Sequence, residues 1–328
     1  MRQLQLILVI ICSSLIAGPA LAQSTAYSKP SGFVTHTLKA GQLNLIGLTL
    51  HEPVVWSGTF DVVEGTVLTD NDADFNEKLT TGKSYILEIV DNSADASLNG
   101  VLQVINSWTS NQINTPDNLE IDGLANGVKY KLRAPKSLSD VFGVANSAGL
   151  TVGTNLASSD VIWLHNGNGF DKFYYSKGGG FGGGTAGWKN SNGDDADDQP
   201  IIYTDAVLIQ SRASKDKQLV VSGVVKTKAV TLCLIGKKFN FISSTFPVGS
   251  TLANSGLQAH LGDGSVTDII WMPNGEGAFI KYSYNGVNWV DEAGIDASDT
   301  PLASGIIIER SGPNSDTKLN PPATYNDL

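Results

Sequence analysis

One stretch occurs twice in this chain and constrains its fold more than any other feature. The first copy is Asp160-Val161-Ile162-Trp163, then Asn166-Gly167-Asn168-Gly169, then Phe173-Tyr174-Tyr175. The second is Asp268-Ile269-Ile270-Trp271, then Asn274-Gly275-Glu276-Gly277, then Tyr282-Ser283-Tyr284. Each copy reads as an apolar strand, a Gly-rich turn and an aromatic strand. Trp188 follows the first copy and Trp289 the second.

Other echoes keep the same order along the chain. Phe239-Asn240-Phe241-Ile242-Ser243 matches Leu43-Asn44-Leu45-Ile46-Gly47, and Ala253-Asn254-Ser255-Gly256-Leu257 matches Ala145-Asn146-Ser147-Ala148-Gly149-Leu150. Ser222-Gly223-Val224-Val225 matches Ser31-Gly32-Phe33-Val34, and Ile306-Ile307-Ile308-Glu309 matches Val207-Leu208-Ile209-Gln210. A duplication is the economical explanation of ordered echoes. A separate pattern, Leu-x-x-Gly-x-x-Tyr-x-Leu, covers residues 79–87 and 124–132, with a looser version at 301–308. Its glycine suits a turn position with φ > 0, and its Tyr and last Leu share one strand face.

These patterns predict an all-β fold of tandem repeated Greek-key or sandwich-like units with one or two short helical turns. Residues 136–142 predict one such helix, with Ser137 as N-cap. The expected units are a signal peptide at 1–22, an N-terminal β unit at 23–133, a middle β repeat at 134–235 and a C-terminal β repeat at 236–328. In the first unit, Arg2, the apolar run 6–17 and Ala20-Leu21-Ala22 follow the rules of a cleaved export signal, so the mature chain is expected to begin at Gln23. No later segment is apolar enough to span a membrane as a helix. A regular series of ten-residue strands with apolar outward faces, the mark of an outer-membrane barrel, is missing. The expected destination is the periplasm, the outer cell surface or the extracellular medium.

The formal charge of −10 gives no electrostatic footprint for nucleic acid. Of the 2 cysteines, Cys12 lies in the leader, which leaves Cys233 without an internal disulfide partner. Its apolar neighbours give it the reading of a small core hydrophobe.

Asp70, Asp72 and Asp74 have the 1-3-5 oxygen spacing of a calcium loop, but the sixth and twelfth positions hold Phe75 and Thr81 rather than Gly and Glu. A solvated acidic turn is the preferred reading, no metal is assigned, and calcium is the only cofactor left as an alternative. The run 194–198 reads the same way. His36, His51, His165 and His260 form no metal-binding spacing, and no Gly-x-Ser-x-Gly elbow is present. Nothing selects a catalytic residue. The tryptophans read as core rather than as an exposed glycan platform. Aligned by strand, Phe173 and Tyr175 are expected on the core face and Lys172 and Tyr174 on a wet face, with Trp163 and Trp271 largely buried.

Several stretches resemble a family of uncharacterised secreted proteins of verrucomicrobial bacteria with internally repeated β units. They are the leader, the run 43–51, the run 83–89, Trp163 with Asn166-Gly167, and Ser255-Gly256-Leu257. The resemblance covers nearly the whole mature chain and implies no known activity, substrate or site residue. The strand Phe239-Asn240-Phe241-Ile242-Ser243 is also similar to one in small all-β modules attached to bacterial cell-surface proteins.

The function expected from the sequence is that of a secreted non-enzymatic β-rich protein, a cell-surface or extracellular binding or structural component. Its partner would be a glycan or another surface protein. The alternative is a polysaccharide-active enzyme using loop carboxylates.

Overall fold

The computed structural model describes residues 30–179, 184–259, 261, 268–326 and 328. The expected leader, His260 and positions 180–183 of the glycine run lie outside them. Among the described residues the fold is all-β, with antiparallel sheets and only two α-helices, Phe75–Lys78 and Leu138–Phe142. The second helix starts at the expected Ser137, whose side chain forms a capping box with Asp140. No helix among the described residues is long and apolar enough to cross a membrane.

Two five-stranded sheets form the frame. The first runs, in spatial order, Ala186–Asn190, Phe170–Lys177, Val161–His165, Ala206–Gln210 and Leu43–Gly47. The second runs Trp289–Asp291, Phe279–Tyr284, Ile269–Pro273, Gly305–Glu309 and Phe239–Ser243. Register agrees as well as order. Trp163 lies between Lys172 and Leu208, and Trp271 between Lys281 and Ile307. Asn44 and Asn240 fix the same corner in each sheet. Each side chain accepts from a backbone N–H five residues earlier and donates to the carbonyl of that same residue.

A second layer covers one face of each sheet. Over the first it is Ser31–Leu38, Lys217–Val225 and Leu50–His51; over the second it is Val230–Leu234 paired with Ser315–Leu319. Period-two alternation sends Ile162, Phe173, Trp188, Ile209, Leu219 and Val221 into the core between the first pair of layers. Trp289, Ile270, Tyr282, Ile308 and Leu232 do the same in the second. The echo between residues 31–34 and 222–225 joins strand partners, since Gly32 sits opposite Gly223 in one antiparallel pair.

The segment 54–133 interrupts the first sandwich and folds on itself. Val54–Phe60, Val128–Arg133, Ile86–Asp91 and Leu102–Val104 form one sheet, and Val62–Glu64, Val67–Thr69, Gln112–Asn114 and Ser107–Trp108 form another. Its core, built around Phe60, Phe75, Tyr130 and Leu132, draws on no residue outside 56–134. Gly82 and Gly127 take the expected left-handed turns at φ 82° and 85°. Leu43–Gly47 lies on the other side of this segment from its partner strand Ala206–Gln210, so the first sheet crosses the sequence boundary expected at residue 133.

The two sheets meet through the faces turned away from their cores. Leu45, Ala206 and Leu208 are buried there with Trp163, Phe170, Phe241, Phe279 and Ile307 packed around them. Backbones touch at this crossing. Ser243 N–H donates to Thr204 O at 2.7 Å, and a Cβ added at Gly47 would stand 1.9 Å from Ser304 O. Expectations for this face need correction. Tyr174 is buried at 7% exposure rather than wet, because the 151–154 loop runs alongside and Thr154 O accepts its hydroxyl at 3.5 Å. Trp163 and Trp271 are only half-buried. They share strands with the core residues but point to the opposite face, where Lys172 Nζ and Lys281 Nζ lie 4.1 Å and 4.5 Å from their ring centres.

Candidate functional site

The strand Val128–Arg133 alternates strictly. Val128, Tyr130 and Leu132 enter the core of the inserted segment, which leaves Lys129, Lys131 and Arg133 on its outer face. The neighbouring strand Ile86–Asp91 places Leu87 and Ile89 inside and Ile86, Glu88 and Val90 outside, with Glu88 opposite Lys131. This outer face docks against the junction of the two sandwiches. Ile86 joins the core of the second one, and residues 224–229, which link the two, run past Glu88 and Arg133.

Two cavities flank the seam. One, of about 140 Å³, is lined by His51, Glu88, Lys131, Arg133, Lys226 and Lys228 among others. The other, of about 300 Å³, shares Glu88, Lys131 and Lys228 with it and reaches Lys318. Together they present five cationic side chains and a single carboxylate, Glu88, in a chain whose formal charge is −10.

Glu88 is 4% exposed and takes both buried cations. Arg133 Nη2 donates to its Oε2 at 2.7 Å, and Lys226 Nζ donates to its Oε1. Burial alone would raise the carboxyl, but Lys226 and Arg133 outweigh it and hold the group down at about 2. Lys226 is lowered from the usual lysine range, first by burial, with Glu88 opposing. Arg133 is 4% exposed. Its Nη1 donates to His51 Nδ1 at 2.7 Å and to Glu52 O at 3.2 Å. The same His51 Nδ1 stands 3.0 Å from Glu52 O, so this ring nitrogen faces both a guanidinium donor and a carbonyl acceptor. Burial, reinforced by the Arg133 charge, lowers His51 to about 3. The Tyr203 ring packs beneath, 6.0 Å from the guanidinium carbon.

Three donors are left over. Arg133 Nε is buried with no acceptor. Lys131 and Lys228 line both cavities and form no ion pair among the described residues. A buried guanidinium N–H without an acceptor costs about 1–3 kcal/mol. The arrangement therefore suits binding of an oxyanion, held by a rigid pair of buried cations and two adaptable lysines.

His51 makes the seam sensitive to acid. Its ordinary value of 6.5 applies in the unfolded chain, and about 3 in the folded one, so between these the unfolded state binds the extra proton. Stability should therefore fall as pH drops below 6.5, by up to about 3 kcal/mol at pH 4. Glu88 adds a further loss only between its unfolded 4.5 and folded value of about 2. Denaturant titrations at pH 7, 5.5 and 4 on the native chain and on His51→Gln are the check. The variant should lose a large part of the slope, and the part kept includes His36, which burial also lowers.

The residues singled out in the sequence lie elsewhere. Asp70 is buried and accepts the Tyr130 hydroxyl at 2.6 Å and the Asp72 N–H at 3.0 Å. Asp74 is the N-cap of Phe75–Lys78, and Asp72 is exposed. Asp70 and Asp74 thus serve separate local contacts, and no group of three or more metal-ligating side chains converges among the described residues. In the run 194–198, Asp195 pairs with Lys189 and Asp198 with Lys83. Cys233 is exposed rather than core, because its strand pairs with Ser315–Leu319 and turns Cys233 and Asp316 outward. His165, Asp171 and Asp205 line a third cavity of about 250 Å³. Asp205 keeps some surface as a residue, yet burial of its carboxyl raises it to about 7.

The cleft residues Glu88, Lys131, Arg133, Lys226 and Lys228 did not stand out in the sequence. Their one local signal is the alternation of basic and apolar residues in Lys129-Tyr130-Lys131-Leu132-Arg133, unusual in an acidic chain. Comparison of the chain with protein-family models, with curated proteins and with solved structures gives no match.

Proposed function

We propose that this is an exported, non-enzymatic binding protein of the cell surface or extracellular space, and that it binds at the seam between the inserted segment and the two sandwiches. The observation that carries this reading is the concentration of cations around Glu88, with Arg133 Nε left without an acceptor in an otherwise acidic chain. Clefts between structural units are common ligand sites. The groups here hold charge in place; none is a nucleophile activated by a base. The export signal expected at 1–22 supports the location, and the resemblance to secreted repeat proteins is consistent with it. The shared order and register of the two five-stranded sheets support a duplicated ancestral unit, interrupted in its first copy by the segment 54–133.

Purified protein incubated with a panel of extracellular polysaccharides tests this. Saturable binding with no change in polymer length or reducing ends is expected. Turnover without binding at the seam would replace the reading with the second one, a polysaccharide-active enzyme. That alternative is favoured by one observation, the enclosed Asp205 carboxyl, raised by burial to about 7, in a cavity that Asp171 also lines. Asp205→Asn would then abolish turnover, whereas it should leave binding at the seam unchanged.

A further inference from the structure

We infer that the seam is an oxyanion site and that its ligand is an acidic saccharide, recognised through one carboxylate or sulfate group. The saccharide part of this inference rests on the extracellular binding role proposed above; the anion part rests on the site itself. Arg133 supplies the fixed donor. Its guanidinium is locked in place by Glu88, His51 and the Glu52 carbonyl, and its Nε–H is the group without an acceptor. The residue is 4% exposed and lines the smaller cavity, so an anion reaching it leaves bulk water and meets a stronger field than at the surface.

Glu88 does not close the site to anions. Its two oxygens are taken by Arg133 and Lys226, and two further lysines stand beside it with no carboxylate paired to them among the described residues. Lys228 is exposed and Lys131 half-buried, so both keep the freedom to swing onto a ligand. Lys131 and Lys228 belong to both cavities, and Lys318 lies in the larger one. A ligand whose charged group enters the smaller cavity beside Arg133 can therefore extend past the two lysines into the 300 Å³ cavity. Val54, Val224 and Val225 give the smaller cavity apolar wall for the carbon face of a sugar ring. A chain of net charge −10 repels polyanions at long range, but screening confines that repulsion to about 8 Å at physiological salt. The local cluster then decides.

The test is calorimetric titration of the full chain with four probes: a uronic-acid oligosaccharide, a sulfated oligosaccharide, a neutral oligosaccharide of equal length, and inorganic sulfate. Binding of one acidic oligosaccharide, weakened by added salt, is expected, with the neutral one at least about tenfold weaker. Which acidic probe binds tells carboxylate from sulfate. Lys228→Glu and Lys131→Glu should each weaken it by about tenfold or more. Lys215→Glu, two residues before the far end of the strand Lys217–Val225 and roughly 25 Å away, should not. Circular dichroism melts confirm that each variant is folded. Equal binding of the neutral and acidic oligosaccharides, or unchanged binding in both Lys variants, overturns the inference while leaving a binding role standing. Binding of sulfate alone, lost in Lys228→Glu, keeps the anion site but overturns the saccharide. No binding by any probe overturns the inference.

Discussion

Replacement of Glu88 by alanine is expected to destabilise the protein by about 3–5 kcal/mol. Among the described residues the carboxylate is the only counter-charge to two buried cations, Arg133 and Lys226, both under 10% exposed. Removing it does not merely delete two ion pairs; it strands two charges in a seam that water reaches poorly. Lys226 offers the chain one way out. Burial already lowers it, and Glu88 is the group that opposes that shift. In Glu88→Ala it should drop further below its unfolded value of 10.5, so the unfolded state binds more protons and the variant gains stability as pH rises. Native chain and variant should therefore differ less at pH 9 than at pH 6 in urea unfolding. A loss below about 1 kcal/mol at pH 6 would mean that the buried network is not formed as described.

The second large effect concerns the tryptophans. Trp188 and Trp289 are 0% and 1% exposed, and each should cost about 3–5 kcal/mol when cut to alanine. Trp188 should cost the more. It packs between Phe142 and Tyr175 and donates its Nε1–H to Gly143 O at 2.9 Å, whereas Trp289 touches Tyr284 and its Nε1 has no acceptor. Removing Trp188 therefore also strands a carbonyl. Trp163→Ala should cost clearly less than either, because the ring is only half-buried in the contact between sheets. Denaturant unfolding of the three variants orders them; a Trp163→Ala loss equal to that of Trp188→Ala would contradict the burial described for the two faces.

Much of the local structure was legible in the sequence, because it follows from alternation and turn chemistry. Phe173 lies on the core face that period two assigns it, Ser137 caps its helix, and Gly82 and Gly127 adopt positive φ. What alternation cannot supply is the identity of the neighbour beyond each face. It gave no sign that Trp163 lies on the face opposite Phe173, or that the face bearing Lys172 meets a second sheet. It could not show that the Thr154 loop buries Tyr174. Pairing across the inserted segment was equally hidden, since Leu43–Gly47 and Ala206–Gln210 are joined by hydrogen bonds and not by any local pattern. The candidate site belongs to this second kind. Glu88, Arg133 and Lys226 are far apart in sequence and become one network only when the inserted sheet docks on the link between the sandwiches.

Hydrogen exchange on the full chain, with and without the acidic oligosaccharide that binds, tests the location of the site most directly. Slower exchange is expected at residues 86–91, 128–133 and 224–231, where the seam's strands and link lie. Protection confined to the Trp163 and Trp271 strands, 161–177 and 269–284, with the seam unchanged, would place binding on the aromatic faces and contradict the seam as the functional site.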